Sequence, residues 1–307
     1  MSKTKKSMFG INDCNKPKKN TKKSFSFNKK IKNKTIKKHS KPYLYKTIIL
    51  FPHTLGQTKP GTEKAPKYLS NYINKKKHNI KKVKNTGNLF KNLKDLYKTN
   101  NSCSGKIINI GGDHSMSIAT IADTLNKYPN AKVVYFDAHA DINTYKSSKS
   151  KHYHGMPLSF VTGLDSNPNF SFIENKLPFE NILYIGSRCW DPAEVDVVYN
   201  KNIKFLTPDE INKNFTESLN KILNFVGDSP IHVSFDVDSI DPKYIPSTGT
   251  PVKNGIELDK AIKILDKLNS GNIVNLDITE LNMKLGKDEE GKKSGINTEK
   301  LFHKFID

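Results

Sequence analysis

Short apolar runs alternate with amphipathic stretches over most of the chain. Seven runs of four or five residues are rich in β-branched and aromatic side chains and mostly apolar on both faces, which is typical of strands in a covered, mostly parallel sheet. These predicted strands are Thr47-Phe51, Lys106-Ile110, Val133-Phe136, Ile182-Ile185, Ile203-Leu206, Ile231-Phe235 and Ile273-Leu276.

Helix signals lie between the runs. Thr207-Pro208-Asp209-Glu210 is a capping box with Pro at the first helical position, and it predicts a helix that continues toward Val226. Leu258 to Asn269 has helical apolar spacing and is followed by a glycine stop. Strands and helices that alternate predict a single-domain α/β fold whose ligands gather at the carboxyl ends of the strands.

Three predicted strands run directly into clusters of carboxylate and imidazole groups. The clusters are Gly111-Gly-Asp-His-Ser115, Asp137-Ala-His-Ala-Asp141 and Asp236-Val-Asp238. Alternate residues of extended backbone point the same way. We therefore expect Asp137, His139 and Asp141 to converge, and Asp236 to converge with Asp238.

These clusters predict a metal site. Buried carboxylates must be paired, protonated or metal-bound, and none of the three clusters contains a lysine or arginine. Four Asp with His114 and His139 form an oxygen-rich set that suits Mn²⁺ better than structural zinc or calcium. Six ligating side chains fit two ions, about 3.5–4 Å apart and bridged by shared carboxylates, better than one.

Charge divides the chain into two parts. The formal net charge is +21, and residues 1–42, with 15 Lys and one acid, contribute +14 of it. Low hydrophobicity and same-sign charge predict a disordered basic tail over residues 1–42, in front of one domain over residues 43–307. Nucleic-acid binding, docking on anionic lipid, organellar targeting and a Lys/Asn coding bias all remain open for this tail.

Several classes of protein are excluded. The sequence has no apolar run of about 18 residues and no apolar stretch typical of a secretory signal after its first lysines. Three cysteines are too few and too scattered for a disulfide framework. We therefore expect a cytoplasmic protein, with targeting to an organelle by the basic tail left open.

At the acidic clusters the chain resembles the ureohydrolase family of binuclear manganese enzymes, which includes arginases and agmatinases. The resemblance extends from about residue 46 to residue 286 and implies the three-layer α/β fold of that family with two Mn²⁺ per subunit. It implies that His114 and Asp141 hold one ion, that His139 and Asp238 hold the other, and that Asp137 and Asp236 bridge them.

Within the family the chain most resembles the arginases, in Gly56-Gln57, Asp137 to Thr144, Ile185 to Glu194, Thr248 to Pro251 and Leu276 to Glu280. That resemblance implies hydrolysis of L-arginine to urea and ornithine, with Glu280 holding the guanidinium group and with Asp141 and His154 taking part in proton transfer. The alternatives are an agmatinase or another guanidino-compound ureohydrolase and, from a different class, a non-catalytic metal-binding relative. The substrate-binding residues that the resemblance implies are Asn143, Ser150, His152, Asp191, Glu194 and Thr250.

One loop departs from the arginase pattern. Arginases carry Ser-Gly-Asn-x-His-Gly where this chain reads Ser150-Lys-His-Tyr-His-Gly155. Lys151 could supply a cation for the substrate carboxylate, but the change leaves the choice between arginine and a decarboxylated analogue open. The family resemblance also implies a homo-oligomer, a trimer or a hexamer, with a small guanidino compound as its other partner.

Overall fold

Eight strands form one sheet in the computed structural model, which describes residues 46–307. They are β1 Lys46–Phe51, β2 His78–Lys82, β3 Ile107–Gly111, β4 Lys132–Phe136, β5 Ile182–Ile185, β6 Lys204–Leu206, β7 Ile231–Asp236 and β8 Ile273–Thr279. Their order is β2-β1-β3-β8-β7-β4-β5-β6, and each neighbouring pair is parallel. The predicted α/β fold is confirmed, whereas the tail predicted for residues 1–42 lies outside the described residues.

Helices cover both faces of this sheet. They are α1 Ala65–Leu69, α2 Leu89–Asn101, α3 Ser117–Lys127, α4 Pro157–Thr162, α5 Pro192–Asn200, α6 Pro208–Lys213, α7 Phe215–Val226, α8 Leu258–Asn269 and α9 Asp288–Ile306. No helix within residues 46–307 combines the length and the apolarity needed to cross a membrane.

Alternate strand residues supply two apolar cores, one on each face of the sheet. In β4, Val133 and Tyr135 belong to the core that includes side chains of α2 to α5, whereas Val134 and Phe136 belong to the core that includes side chains of α8 and α9. All four are fully buried. Burial of one large apolar side chain contributes about 1.5–3 kcal/mol, so the central strands are held from both sides.

The structure differs from the predicted elements in two places. The helix expected from Pro208 to Val226 is two helices, because the backbone of Asn214 leaves the helical region at φ −124° and ψ 54°. The strand β2 was not predicted. It lies at the sheet edge with a partly exposed His-Asn-Ile-Lys-Lys sequence, and it therefore lacks the apolar signal of a covered strand.

Strand order brings the acidic clusters together. The strands β3, β8, β7 and β4 are consecutive neighbours, so their carboxyl ends lie side by side although they are far apart in the sequence. The three clusters follow β3, β4 and β7, and Glu280 follows β8 directly.

Candidate metal centre

Two imidazoles face carboxylates at the carboxyl ends of the central strands. The Nδ1 atom of His114 lies 3.1 Å from Asp137 Oδ2, 3.0 Å from Asp141 Oδ2 and 3.4 Å from Asp236 Oδ2. The Nδ1 atom of His139 lies 3.3 Å from Asp137 Oδ1. A carboxylate whose two oxygens face two different imidazoles is placed to bridge two ions.

Two groups of candidate ligands follow from these distances. Within the described residues, one group consists of His114, Asp137 and Asp236 and the other of Asp137, His139 and Asp238. Asp238 Oδ2 lies 3.1 Å from His139 Nδ1. The structure thus brings all six predicted ligands together, with Asp141 next to the first group and Asp137 shared by both.

Turns, rather than extended backbone, aim these side chains, so the expected reason for their convergence was wrong. β4 ends at Phe136, and Asp141 has a left-handed backbone with φ 50°. On β7, Asp236 is the last strand residue, and Asp238 lies in a 3₁₀ turn. Non-glycine residues rarely adopt positive φ, and such strain often accompanies functional sites.

The donor set fits divalent cations. Asp137 is fully buried, and its Oδ2 atom accepts no hydrogen bond. Burial and the charges of Asp141 and Asp238 raise the pKa of Asp137 to about 6, and burial also raises the pKa of Asp236 well above its usual value. Bound cations stabilise clustered buried carboxylates whose charged forms are disfavoured. A cation would also supply a partner for the Asp137 Oδ2 atom, whose burial without one is costly.

A buried network supports His114 from the side opposite the carboxylates. Its Nε2 atom lies 2.8 Å from Ser234 Oγ, which lies 3.0 Å from Ser117 Oγ. Ser117 donates to Asp277 Oδ2 at 2.8 Å, and the same oxygen lies 3.1 Å from His232 Nε2. Partners of this kind fix the orientation of ligating imidazoles. His232 is thus a paired core residue that reaches the candidate ligands only through other side chains.

Three groups hold Glu280 beside the candidate ligands. Its Oε1 atom accepts the backbone N–H of His114 at 2.9 Å and lies 3.1 Å from His154 Nδ1, and its Oε2 atom accepts from Gln57 Nε2 at 2.7 Å. Glu280 is buried, with a left-handed φ of 63°. The carboxylate is therefore held rigidly next to His154, where a cationic group could pair with it.

The predicted acidic pair on α5 divides into two different roles. Asp191 is exposed, and its Oδ2 atom accepts from Asn143 Nδ2 at 3.1 Å. Glu194 is buried, and its two oxygens accept the backbone N–H groups of Ile142 and Asp191 at 3.1 and 2.9 Å. Burial raises the pKa of Glu194 to about 8. Glu194 therefore supports the backbone around Asn143 and Asp191, and its predicted contact with substrate stays a prediction.

The loop that departs from the arginase pattern turns its lysine away. Lys151 Nζ donates to the backbone oxygens of Tyr145 and Lys146 at 2.5 and 3.2 Å, and it lies over the ring of Tyr145. Its backbone is left-handed with φ 61°, at the position where arginases carry glycine. Ser150 accepts the backbone N–H of His152 at 3.3 Å. The ammonium group is therefore engaged within its own loop.

Thr250 and two residues outside the predicted set also reach the site. Thr250 Oγ1 donates to Asp238 Oδ2 at 3.4 Å. The Tyr135 hydroxyl donates to Asp141 Oδ2 at 3.1 Å, and Gln57 holds Glu280. Tyr135 is an ordinary strand residue in the sequence and no signal distinguishes it, whereas Gln57 lies in a Gly-Gln segment that also resembles arginases.

Comparison with known proteins agrees with this geometry. A sequence model of the arginase family matches residues 46–304. The chain is similar to the arginase of Entamoeba histolytica, with 34% identity over 278 residues that cover 80% of this chain and 93% of that protein. It is also similar to arginase-1 of Mus musculus, with 31% identity over 286 residues that cover 82% and 88% of the two proteins. The crystal structure of Entamoeba histolytica arginase in complex with L-ornithine matches with a TM-score of 0.79 and 30% identity, covering 86% of this chain and 98% of that one.

Proposed function

Because the chain belongs to the arginase family of ureohydrolases, we propose that it is a binuclear manganese enzyme that hydrolyses L-arginine to urea and ornithine. One observation supports this most directly. The carboxylate of Glu280 is held beside two groups of candidate metal ligands that share Asp137. A guanidinium group paired with Glu280 would present its carbon next to those ligands.

The candidate ligands would hold two Mn²⁺ ions. We assign His114 and Asp141 to one ion and His139 and Asp238 to the other, with Asp137 and Asp236 between them. Ions bound there would supply a water molecule whose pKa is lowered toward neutrality and which can attack the guanidinium carbon. Family members normally have a binuclear metal site, and the oxygen-rich donor set favours manganese over zinc.

The chain's own residues would bind and orient the guanidinium group. Glu280 can accept two parallel N–H bonds from it, a geometry that adds both energy and orientation. Gln57 and the backbone N–H of His114 keep the Glu280 carboxylate from rotating. A guanidinium group at that position is therefore bound in one orientation.

His154 and Asp141 are placed for proton transfer. Burial disfavours the charged form of His154, but its hydrogen bond with Glu280 and the negative charges of Glu280, Asp141 and Asp113 together outweigh this and raise its pKa. An imidazole of this kind can carry a proton between the site and solvent near neutral pH. The family resemblance assigns the other part in proton transfer to Asp141, whose Oδ2 atom accepts from the Tyr135 hydroxyl within the same site.

The far end of the substrate would meet Asn143, Asp191, Ser150 and His152. Asp191 is exposed and can pair with the α-amino group, while Asn143 and Ser150 can donate to the α-carboxylate. Burial and the nearby His154 lower the pKa of His152, so this imidazole is neutral near pH 7.

A guanidino amine such as agmatine is a second candidate substrate. The position of the Lys151 ammonium group is the observation that favours it. Because this ammonium group bonds within its own loop, it gives no positive charge to a substrate carboxylate in the described geometry. An amine at the far end of the substrate would still meet Asp191.

A substrate panel tests both candidates. Urea release is measured with added Mn²⁺ on L-arginine, agmatine and guanidinobutyrate, for the wild type and for Glu280→Gln as the isosteric control. We expect the largest kcat/KM on arginine and a loss of about 10²-fold or more in the variant. A larger kcat/KM on agmatine would replace the arginine proposal, and no urea from any of the three compounds would refute the enzyme proposal.

A further inference from the structure

Arg188 differs from every other permanently charged basic side chain in the sequence. The sequence contains 51 Lys and Arg residues together, and Arg188 is the single arginine among them. It follows β5, and its side chain is buried, with 8% of the residue exposed. In a chain with so strong a preference for lysine, an arginine marks a position where the shape of the guanidinium group could matter as well as its charge.

The Arg188 guanidinium group bonds only to backbone carbonyl oxygens among the described residues. Five hydrogen bonds link its three nitrogens to five carbonyls, which matches the five N–H donors of the group. The acceptors are Lys253 for Nε at 3.2 Å, Gly186 and Ser239 for Nη1 at 2.8 and 3.3 Å, and Asp238 and Val252 for Nη2 at 2.9 and 2.7 Å.

These carbonyls belong to three segments that are distant in the sequence. Gly186 follows β5, Asp238 lies in the 3₁₀ turn after β7, and Val252 and Lys253 end the loop over residues 248–253. Arg188 therefore ties this loop to the turn that carries a candidate metal ligand.

The same loop forms part of the substrate pocket. Thr250 donates to Asp238 Oδ2 at 3.4 Å. The space in which a Gly249 Cβ would lie is 3.4 Å from Gln57 Oε1 and 3.7 Å from Glu280 Oε2. A shift of the loop would therefore move Thr250 relative to Asp238 and change the wall beside Glu280.

Lysine cannot reproduce this arrangement. Its ammonium group has three donors on a single atom, whereas the five carbonyls surround a planar fork. A lysine at this position could donate to at most three of these carbonyls. Since Ser239 O also accepts the backbone N–H of Ile256, at least one carbonyl would lose its donor, and an unpaired buried acceptor is costly.

We propose that Arg188 is a positioning residue that locks the 248–253 loop onto the turn carrying Asp238 and thereby holds Asp238, a ligand of the second group only, in place. The catalytic consequence rests on the proposed function. The metal-binding consequence does not, because it can be measured with Mn²⁺ and no substrate.

The test is Arg188→Lys, which keeps the charge and removes the fork. Bound Mn²⁺ per chain is measured by elemental analysis across chelator-buffered Mn²⁺ concentrations. We expect the variant to bind its first ion within about threefold of the wild-type affinity and its second ion at least tenfold more weakly, with kcat restored toward wild type by excess Mn²⁺. In a His139→Asn background, Arg188→Lys should change the affinity of the remaining ion by less than threefold.

Lys106→Met is the matched control. It removes another, partly buried cation, one that donates to Asn269 at the opposite end of the sheet. We expect it to lower the melting temperature without changing the affinity for either ion. Equal weakening of both ions by Arg188→Lys, or the same weakening by Lys106→Met, would show that Arg188 acts only through overall stability and would overturn the proposal.

If Arg188→Lys does not fold, hydrogen exchange at backbone amides of the wild type provides the test of the proposal. The backbone N–H of Ile256 donates to Ser239 O at 3.0 Å and that of Gly255 donates to Asp241 Oδ2 at 2.9 Å, so both report on the junction that Arg188 closes. Because the acceptors of Arg188 are backbone carbonyls and not the side chains of candidate metal ligands, both amides should stay protected after chelation, within about tenfold of the metal-loaded protein. Exchange at the rate of exposed amides in the chelated protein would contradict the proposal.

Discussion

At the scale of single residues, the site depends on left-handed backbone conformations that no local sequence pattern predicts. Asp141 and Glu280 both have left-handed backbones, and each places a carboxylate against a different side of His114. Non-glycine residues adopt this conformation only when their surroundings hold them in it. In Asp141 and Glu280 these surroundings include Tyr135 and Gln57, respectively.

Asp137→Asn tests the shared carboxylate. The amide keeps the size of the side chain but loses the charge and one of the two oxygens that face His114 and His139. We expect fewer than one bound Mn²⁺ per chain and a fall in kcat of about 10³-fold or more, since metal ions contribute several kcal/mol to such barriers. Asp241→Asn, which lies after β7 close to Asp238 but outside both ligand groups, should keep both ions. Two tightly bound ions in Asp137→Asn would contradict the bridging assignment.

His53 makes stability depend on pH. Burial lowers its pKa to about 4, and its Nδ1 atom lies 2.7 Å from Asn92 Nδ2, so the folded protein holds a neutral ring. The unfolded chain binds a proton at this residue below about pH 6.5. The stability that the neutral ring contributes is therefore present above pH 6.5 and is lost as the pH falls toward 4.

Chemical denaturation of the chelated protein at pH 7 and pH 5 measures this effect. We expect the free energy of unfolding of the wild type to fall by about 1–2 kcal/mol more than that of His53→Gln, whose amide can still accept from Asn92. The same pH dependence in both proteins would show that His53 does not contribute.

At the scale of elements, strands that are buried on both faces were predicted well, whereas the exposed edge was not. The predicted strand Ile182–Ile185 and the predicted helix Leu258–Asn269 have the observed bounds. The strand β2 has no apolar pattern because Asn79 and Lys82 are exposed, whereas the other edge strand, β6, has apolar residues and was predicted. Local patterns therefore identify an element only where burial imposes a period on its side chains.

The C-terminal helix α9 is an element whose position the sequence did not reveal. Phe302 is fully buried and packs edge-on against Phe235 in β7, with ring centroids 5.1 Å apart. Phe302→Ala should lower the free energy of unfolding of the metal-loaded protein by about 3–5 kcal/mol in chemical denaturation. Ile296→Ala, on an exposed part of the same helix, should change it by less than about 0.5 kcal/mol. Similar losses in both variants would mean that α9 is not packed on the sheet as described.

At the scale of the whole molecule, the candidate site is built from acidic residues, although basic residues outnumber them in the sequence. Lysines produce the net charge of +21, yet the buried site collects Asp137, Asp141, Asp236, Asp238 and Glu280 at neighbouring strand ends. Buried carboxylates this close repel one another unless cations compensate them. The fold and the metal site should therefore stabilise each other.

Chelation tests this coupling. Removal of the metal should lower the melting temperature, and re-addition of Mn²⁺ at about 100 times its dissociation constant should restore about 2.7 kcal/mol of stability for each ion bound. In Asp137→Asn, chelation should change the melting temperature much less, because one shared ligand is missing. No difference between loaded and chelated wild type in differential scanning calorimetry would mean that the ions do not bind the folded chain in preference to the unfolded chain.

The sequence by itself determined the fold class, most of the buried strands and the residue types of the candidate metal site, because burial and metal chemistry leave local signals in apolar runs and in paired Asp and His residues. Tertiary structure decided what those signals do together. The order β3-β8-β7-β4 brings the ligand clusters side by side, turns aim them, and contacts between distant segments assign Glu194 to the backbone and Arg188 to five carbonyls. These outcomes depend on strand pairing and packing between residues far apart in the chain, and no local pattern encodes them.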